Sequence, residues 1–288
     1  MAKSPSHKFG QIIGNLLEEI TLPILQEFCD ARGLYLDKQG MRGGARKGQK
    51  VTWDDRYGNA HDLDFVIEKG GSVDKKGVPV AFIEAAWRRY TKHSKNKAQE
   101  MQGAVLPIVE VYSLDKPFMG AVIAGEFTAP SITQLESVGF KVLYIPYQSI
   151  VSAFWEVGIN VAFDENTPDD DFSTCVAQIE SITVPEWNRL KQTLTESNQH
   201  SVNAFFVELK ATLDRVINFI AVIPLYGVES RFSTVSDAMS FLEDSIAEEN
   251  RGDLRKVEII IRYSNGDTID ASFTTIDKAT AFLRQLNV

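Results

Sequence analysis

The sequence predicts an α/β protein with a central mixed sheet flanked by helices, then a helical segment and a small α+β domain of two strand–strand–helix repeats. Three observations support this fold class: helical apolar spacing near the N-terminus, a series of short extended runs up to residue 146, and a repeated segment near the C-terminus. Its 288 residues suffice for one large domain or two small ones. We divide the chain into domain 1–165, helical connector 166–223 and repeat domain 224–288.

The first elements follow from periodicity. Apolar residues recur at close to helical spacing over 9–32, and Pro23 marks a kink or a break between two helices. Extended runs follow at 33–36 and 50–53, separated by a glycine-rich, basic loop. The run 61–68 alternates polar and apolar residues, which predicts one strand.

The next elements complete the predicted sheet. A compact apolar run at 78–83 predicts a central strand that ends at Glu84, and polar residues from Arg88 predict a basic helix, regular from about Ser94. Strands are predicted at 118–125 and 141–146, and between them a helix over 131–138 with Ser131 as its N-cap. This order of helices and strands is typical of a sheet with helices on both sides.

The C-terminal part contains an internal repeat. The segment 232–242 matches 273–283 at an offset of 41, and apolar runs at 219–225 and 257–263 precede the two copies. Asn265-Gly266 predicts a hairpin turn in the second copy. The acidic segment 167–171 marks a domain boundary, and 184–223 is predicted to be mostly helical. We expect the repeat to serve as a scaffold, a dimerisation surface or a partner-binding surface.

Composition restricts the setting and the partner. Cys29 and Cys175 form no CxxC pair, and no stretch approaches the roughly 20 apolar residues of a membrane helix, so we expect a cytoplasmic, soluble protein without membrane contact. The net charge is −9, but residues 32–103 contain 15 basic and 9 acidic residues. The net charge of that segment is therefore +6. This charge alone fits an ordinary solvated basic face as well as a surface that binds a polyanion, so other features have to decide.

Three carboxylates could provide such a feature. Asp62 and Asp64 lie two residues apart on one predicted strand and therefore share a face, and Glu84 ends the next strand. If the strands are adjacent, carboxylates from both meet near a strand end, where they would hold a hard divalent cation such as Mg²⁺. A metal held there polarises a phosphodiester and lowers the pKa of a bound water.

These residues carry a resemblance to a known family. His61-Asp-Leu-Asp-Phe-Val-Ile67, followed by Val80-Ala-Phe-Ile-Glu-Ala-Ala-Trp-Arg-Arg89, resembles the core of PD-(D/E)xK nucleases, the superfamily of many type II restriction endonucleases. The resemblance covers roughly residues 9–146 and implies a restriction-endonuclease-like sheet with Mg²⁺, or Mn²⁺ in its place, as cofactor. It implies these metal ligands: Asp64, Glu84, the carbonyl of Ala85, and a helix glutamate, Glu18 or Glu19. We expect Asp62 to support these ligands or to bind a second ion.

One position departs from the family pattern. Ala86 stands where the family has Lys, sometimes Glu or Gln, two residues after the acid. A cation from the following helix would have to position the attacking water, and Lys95 and Lys97 are the first candidates, with Lys92 and Arg88 behind them.

Basic residues around this site are expected to contact DNA phosphates. The loop contributes Arg42, Arg46, Lys47 and Lys50, and the segment after the strand contributes Arg88, Arg89, Lys92 and His93. Each such contact makes binding salt-dependent.

The sequence therefore predicts a Mg²⁺-dependent DNA endonuclease of a restriction or defence system, with Asp64, Glu84 and Lys95 or Lys97 as catalytic residues. Symmetric cleavage of double-stranded DNA calls for two copies, so we expect a homodimer. Two alternatives stay open. One is a catalytically inactive DNA-binding or regulatory subunit of such a system. The other is a protein-interaction scaffold in which the acids pair with nearby arginines.

Overall fold

A computed structural model of the chain describes residues 4–224, 228–246 and 256–286. It divides the chain into two units, Met1–Leu209 and Lys210–Val288. The boundaries inferred from sequence, after residues 165 and 223, differ from this division. Helices at Asp169–Ser181 and Val184–Ser197 pack on earlier helices of the first unit, at Pro5–Asp30 and Tyr147–Trp155, and so belong to it instead of connecting two domains.

The first unit alternates helices and strands. In chain order its elements are α1 (Pro5–Asp30), β1 (Tyr35–Lys38), β2 (Val51–Asp54), β3 (Ala60–Leu63), β4 (Phe65–Lys69), β5 (Val78–Arg88), α2 (Ser94–Val109), β6 (Phe118–Gly125), α3 (Ala129–Glu136), β7 (Lys141–Pro146), α4 (Tyr147–Trp155), α5 (Asp169–Ser181), α6 (Val184–Ser197) and α7 (Gln199–Leu213). Helix α7 continues four residues into the second unit.

The central sheet is mixed and flanked by helices, as the fold class predicts. Its strand order is β1-β4-β5-β6-β7, with antiparallel pairing from β1 to β5 and parallel pairing from β5 to β7. Strands β2 and β3 form a separate antiparallel ribbon. Strand β5 therefore lies at the centre of the sheet, where apolar residues from both neighbouring strands surround it.

Two strand predictions near the carboxylates differ from the structure. The run 61–68 is two strands, because the chain bends at Asp64. Strand β3 pairs with β2 in the ribbon, whereas β4 joins the central sheet. Strand β5 continues past Glu84 to Arg88, because β6 offers hydrogen-bonding partners along its whole length. Arg88 is thus a strand residue, and the helix begins only at Ser94.

The helices show three further differences. Helix α1 is continuous through Pro23, because residues before and after it, such as Leu17 and Leu25, bury the same apolar face. Thr128, not Ser131, is the N-cap of α3, and its hydroxyl accepts the Ser131 N–H. The acidic segment at Asp169 opens α5 after Pro168, since carboxylates are favourable in the first turn of a helix.

The second unit contains two strand–strand–helix copies. Its elements are β8 (Ile217–Pro224), β9 (Ser230–Phe232), α8 (Val235–Ser240), β10 (Val257–Tyr263), β11 (Thr268–Phe273) and α9 (Ile276–Gln285), in an antiparallel sheet of order β11-β10-β8-β9. The segment 184–223, predicted to be mostly helical, ends instead in a strand that begins at Ile217. The apolar run predicted over 219–225 ends at Leu225, which lies outside the described residues.

The repeat is visible in matching packing of the two copies. Phe232 packs on Phe241 and Phe273 packs on Phe282, each with ring centroids 5.1 Å apart and planes inclined by 41° and 44°. Equivalent threonines, at the offset of 41, cap α8 and α9. Within the described part of the chain, no helix combines the length and the apolar character needed to cross a membrane.

Candidate functional site

The register of the central sheet sets two acidic residues opposite each other. Phe65 of β4 pairs with Ile83 of β5 in antiparallel fashion, so the next step of the register places Asp64 opposite Glu84. The Ala85 N–H donates to Asp64 Oδ2 at 2.6 Å, and the Asp64 N–H donates to the Glu84 carboxylate. These reciprocal bonds hold the two side chains at the point where the chain bends out of the sheet.

Glu84 is buried, and its carboxylate is only partly hydrogen-bonded. Only 7% of the residue is exposed, and its Oε1 has no hydrogen-bond partner among the described residues. Burial raises the pKa of Glu84 to about 8, and the negative charge of Asp64 adds to this effect. Burial likewise raises the pKa of Asp64, against the opposing effect of its bond from Ala85.

A third carboxylate comes from α1. Burial raises the pKa of Glu18, and the charge of Asp64 raises it further, so the Glu18 side chain faces the same site. Its neighbour Glu19 is directed elsewhere, because it accepts a hydrogen bond of 2.8 Å from Trp187 Nε1 and pairs with Lys191 at 3.4 Å. Of the two helix glutamates that the sequence proposed, the structure brings Glu18 to the acids.

The cation at the site is Lys97. Its charge lowers the pKa of both Asp64 and Glu84, and its Nζ lies 3.3 Å from Glu100 Oε2, one turn further along α2. Lys95 is exposed. The structure therefore separates the two lysines that the sequence could not distinguish.

Ala86 lies in the hydrophobic core. It is 5% exposed and belongs to the same apolar cluster as Val66, Phe82 and Ala98. Ala86 also lines the cavity described below, but a lysine at this position would still lose much of its hydration, because only 5% of the residue is exposed. The fold thus gives a reason why the cation of the site comes from α2.

Asp62 lies on the ribbon, where its hydrogen bonds come from the ribbon itself, although its charge still adds to the raised pKa of Glu84. The expectation that Asp62 and Asp64 share one strand face is wrong, because β3 ends at Leu63 and Asp64 occupies the bend. Asp62 accepts hydrogen bonds from Lys50 Nζ at 2.5 Å and Thr52 Oγ1 at 3.0 Å on the exposed ribbon. These bonds, first of all the one from Lys50, lower the pKa of Asp62.

Two arginines of the basic loop are structural. Arg46 donates to both carboxylate oxygens of Glu68, at 3.2 and 2.5 Å, and Arg42 donates to both oxygens of Asp37, at 2.8 and 2.6 Å. All four side chains are at least 97% buried. The prediction that Arg42 and Arg46 contact DNA is therefore wrong, because buried carboxylates already occupy their donors. Gly43 lets the loop pass directly against the backbone of Val73.

The other predicted DNA contacts differ in accessibility. Lys47 and Lys92 are exposed, whereas Lys50 pairs with Asp62. Arg88 donates to the Trp87 carbonyl at 3.0 Å and pairs with Glu100 at 3.4 Å. The side chain of His93 lies outside what the structure describes.

A cavity of about 680 Å³ begins beside the acids. It lies between the start of α1, the end of β5 and the first turns of α2, and Ala85 and Lys97 are part of its wall. Its volume is within the range of sites for small organic molecules.

Within residues 4–224, 228–246 and 256–286, no group of three or more His, Cys, Asp or Glu side chains is arranged to hold a metal ion. A metal at this site would therefore depend on two carboxylates, with the remaining oxygens from the backbone and water. This ligand set is common for Mg²⁺, which usually retains several waters. The unpartnered Glu84 Oε1 fits such an ion.

No family model matches this chain, and neither does any curated protein or solved structure. The resemblance to PD-(D/E)xK nucleases therefore stays a prediction from the sequence motifs.

Proposed function

We propose that the protein is a Mg²⁺-dependent DNA endonuclease that hydrolyses phosphodiester bonds, in a restriction or defence system. One observation carries the proposal: Glu84 is buried with an unpartnered oxygen, its pKa responds to the charges of Asp64 and Lys97, and its neighbour Ala85 lines a cavity. Facing carboxylates in a buried position destabilise a fold unless a cation or a proton compensates them. Clusters of this kind are characteristic of functional sites.

Asp64 and Glu84 would hold the metal, with the carbonyl of Ala85 and water as further oxygen donors, and the predicted ligand Glu18 would add its negative charge nearby. A bound Mg²⁺ supplies Lewis-acid polarisation of the phosphodiester and a lowered pKa of water. The two backbone hydrogen bonds between Asp64 and the Glu84–Ala85 segment fix both carboxylates before any ion arrives, which limits the reorganisation that binding requires. The supporting role of Asp62 stays a prediction.

Lys97 takes the role of the absent motif lysine. Its ammonium group donates a hydrogen bond that orients the attacking water, and its charge offsets the negative charge that develops on the phosphate. Glu100 holds the side chain from one turn away, at 3.3 Å, which restricts the rotamers of the lysine. Lys97 thus compensates for Ala86 without placing a charge in the core.

The substrate and assembly follow from charge and symmetry. Arg88, Arg89 and Lys97 line the cavity and Lys92 is exposed, and we propose that these four residues contact the DNA backbone. Double-stranded DNA remains the proposed substrate, and a homodimer would cut both strands.

Cleavage of supercoiled plasmid in Mg²⁺, Mn²⁺ and EDTA tests the proposal. We expect metal-dependent nicking or linearisation by the wild type, and a loss of at least about a hundredfold in Glu84→Gln, because the variant lacks a metal ligand. Glu19→Gln is the matched control, since it alters a carboxylate of the neighbouring region that pairs with Trp187 and Lys191. Full activity of Glu84→Gln would contradict the assignment.

The catalytically inactive DNA-binding or regulatory subunit is the second candidate. Ala86 favours it, because the lysine of the family motif is absent from this position. DNA binding that falls steeply with salt, without cleavage in any divalent cation, would support this candidate.

A further inference from the structure

The cavity beside the acids has a positively charged wall. Three cations line it, Arg88, Arg89 and Lys97, together with one carboxylate, Glu100. Glu100 lies 3.4 Å from Arg88 and 3.3 Å from Lys97, so one carboxylate is shared between two cations and none is left for the third. The wall therefore favours an anionic occupant.

Arg89 has donors without acceptors. Its Nε and Nη1 are buried and have no hydrogen-bond partner among the described residues. The guanidinium lies 4.4 Å from the ring centroid of Tyr90 and 4.2 Å from that of Phe172, and these aromatic contacts fix its plane. A buried charged donor without an acceptor destabilises the folded protein, so a ligand that supplies the acceptor is bound favourably. A phosphate oxygen is the ligand that the planar guanidinium binds best besides a carboxylate.

The opposite wall is a bare face of α1. Gly10 and Gly14 lie one turn apart and both line the cavity. A Cβ atom at Gly14 would meet nothing within 4 Å, and a Cβ atom at Gly10 would lie 3.9 Å from Trp87 Nε1, an ordinary contact. The fold therefore has room for alanine at both positions, although glycine inside a helix is less stable than alanine. The bare face leaves space for a flat ring against the helix, with the Trp87 indole on the same wall.

We propose that this cavity holds one unpaired nucleotide of a DNA strand, with its phosphate on Arg89 and its base against the Gly10–Gly14 face of α1. The inference rests on the proposed nuclease function and deepens it. A base can enter such a cavity only when it is unpaired, in a single strand or extruded from a duplex. The protein would therefore prefer DNA with an unpaired nucleotide next to the phosphate that it cleaves.

The matched pair Gly14→Leu and Gly103→Leu tests this inference. Both glycines are inside helices and both have open space at the Cβ position, but only Gly14 lines the cavity. Leucine also has the higher helix propensity, so thermal unfolding should show both variants folded and at least as stable as the wild type. Arg89→Gln serves as a second variant directed at the phosphate.

The probe is a fluorescein-labelled single-stranded oligonucleotide, and its binding is measured by anisotropy in EDTA, beside a blunt duplex of the same sequence and free thymidine 5′-monophosphate. We expect the wild type to bind the single strand more tightly than the duplex. Gly14→Leu and Arg89→Gln should weaken this binding at least tenfold, and Gly103→Leu should leave it within about twofold of wild type.

Several results would overturn the inference. One is single-strand binding by Gly14→Leu that equals the wild type, and another is no preference of the wild type for the single strand. Tight binding of the free mononucleotide without binding of the oligonucleotide would also overturn it, in favour of a nucleotide ligand. If the single strand binds as expected but the wild type cleaves no DNA in Mg²⁺ or Mn²⁺, the nuclease function fails and the nucleotide site stands.

Discussion

Two groups of buried charge lie in the first unit, and their compensation differs. In the basic loop, Arg42 and Arg46 meet Asp37 and Glu68 in side chains that are at least 97% buried, and Glu68 also accepts the Gly77 N–H at 2.5 Å. At the bend after β3, the carboxylates described above face one another around a single lysine, and one oxygen of Glu84 is unpartnered. In the first group each buried carboxylate is paired with an arginine. In the second group one carboxylate oxygen has no partner among the described residues.

The difference separates structural charge from candidate functional charge. A complete network of ion pairs and hydrogen bonds positions the loop, and removing one partner leaves the other uncompensated. In an incomplete network the pKa values of the acids are raised, and a cation that binds to them stabilises the folded protein. The two groups cannot be distinguished by sequence composition, since each combines acidic and basic residues near glycines.

The largest expected effect is on the complete network. Arg46→Met leaves Glu68 and part of Asp37 buried without a cation, and we expect it to lower the free energy of unfolding by about 3–5 kcal/mol. Lys47→Met, at the exposed neighbouring position, should change it little. Urea unfolding followed by circular dichroism measures both. Equal stability of the two variants would show that the loop network does not hold the fold.

A comparable effect is expected on catalysis from the incomplete group. Lys97→Ala removes the cation that faces both acids, and we expect the cleavage rate to fall by about 10²–10³-fold. Lys95→Ala, on the exposed side of the same helix, should retain wild-type activity. Initial rates on plasmid DNA in Mg²⁺ compare the two. A larger loss in Lys95→Ala would transfer the role to that lysine.

Restoring the family lysine should fail. Ala86→Lys places an ammonium group in the apolar cluster around Phe82, and we expect it to destabilise the fold by about 3 kcal/mol. It should not rescue Lys97→Ala. Gln99→Lys adds the same charge at an exposed position of α2 and should be neutral. Rescue of cleavage by Ala86→Lys would mean that the position reaches the site after all.

A smaller effect is expected from Asp55, a buried carboxylate that is held mainly by hydrogen bonds from its own turn. Asp55 accepts bonds from Tyr57 N at 2.8 Å and from Asn59 N and Nδ2 at 2.9 and 3.0 Å, and it contacts His61 Nε2 at 3.2 Å. These bonds, the Asn59 side chain first, hold the pKa of Asp55 well below its usual value of 3.8.

Because the folded-state pKa of Asp55 is depressed, its stabilisation is complete above the usual pKa and is lost as pH falls below it. Asp55→Asn should therefore lower stability at neutral pH and make the acid-induced loss between pH 4 and pH 2 less steep. Asp54→Asn, at the exposed neighbouring position, is the control. Urea unfolding at several pH values measures the slope, and identical slopes in the wild type and Asp55→Asn would contradict this interpretation.

Sequence patterns were sufficient for most strands of the central sheet, because apolar runs mark them, and for the expectation that Asp64 and Glu84 come from successive strands. They were insufficient where three-dimensional packing decides. Whether Arg46 meets DNA or Glu68 depends on the path of the loop. Whether Lys95 or Lys97 reaches the acids depends on where α2 begins, which the continuation of β5 to Arg88 determines. The sequence contained one indication of the cavity, namely Gly10 and Gly14, which are four residues apart in an apolar helix.

Titration of the metal-free protein with MgCl₂ is the most direct test of the central claim, that the acids at the bend form an incomplete site for a divalent cation. We expect the melting temperature of the wild type to rise with Mg²⁺, and that of Glu84→Gln to be higher than wild type in EDTA and insensitive to Mg²⁺. An unchanged melting temperature of the wild type in Mg²⁺ and Mn²⁺, or an equal rise in Glu84→Gln, would contradict the claim.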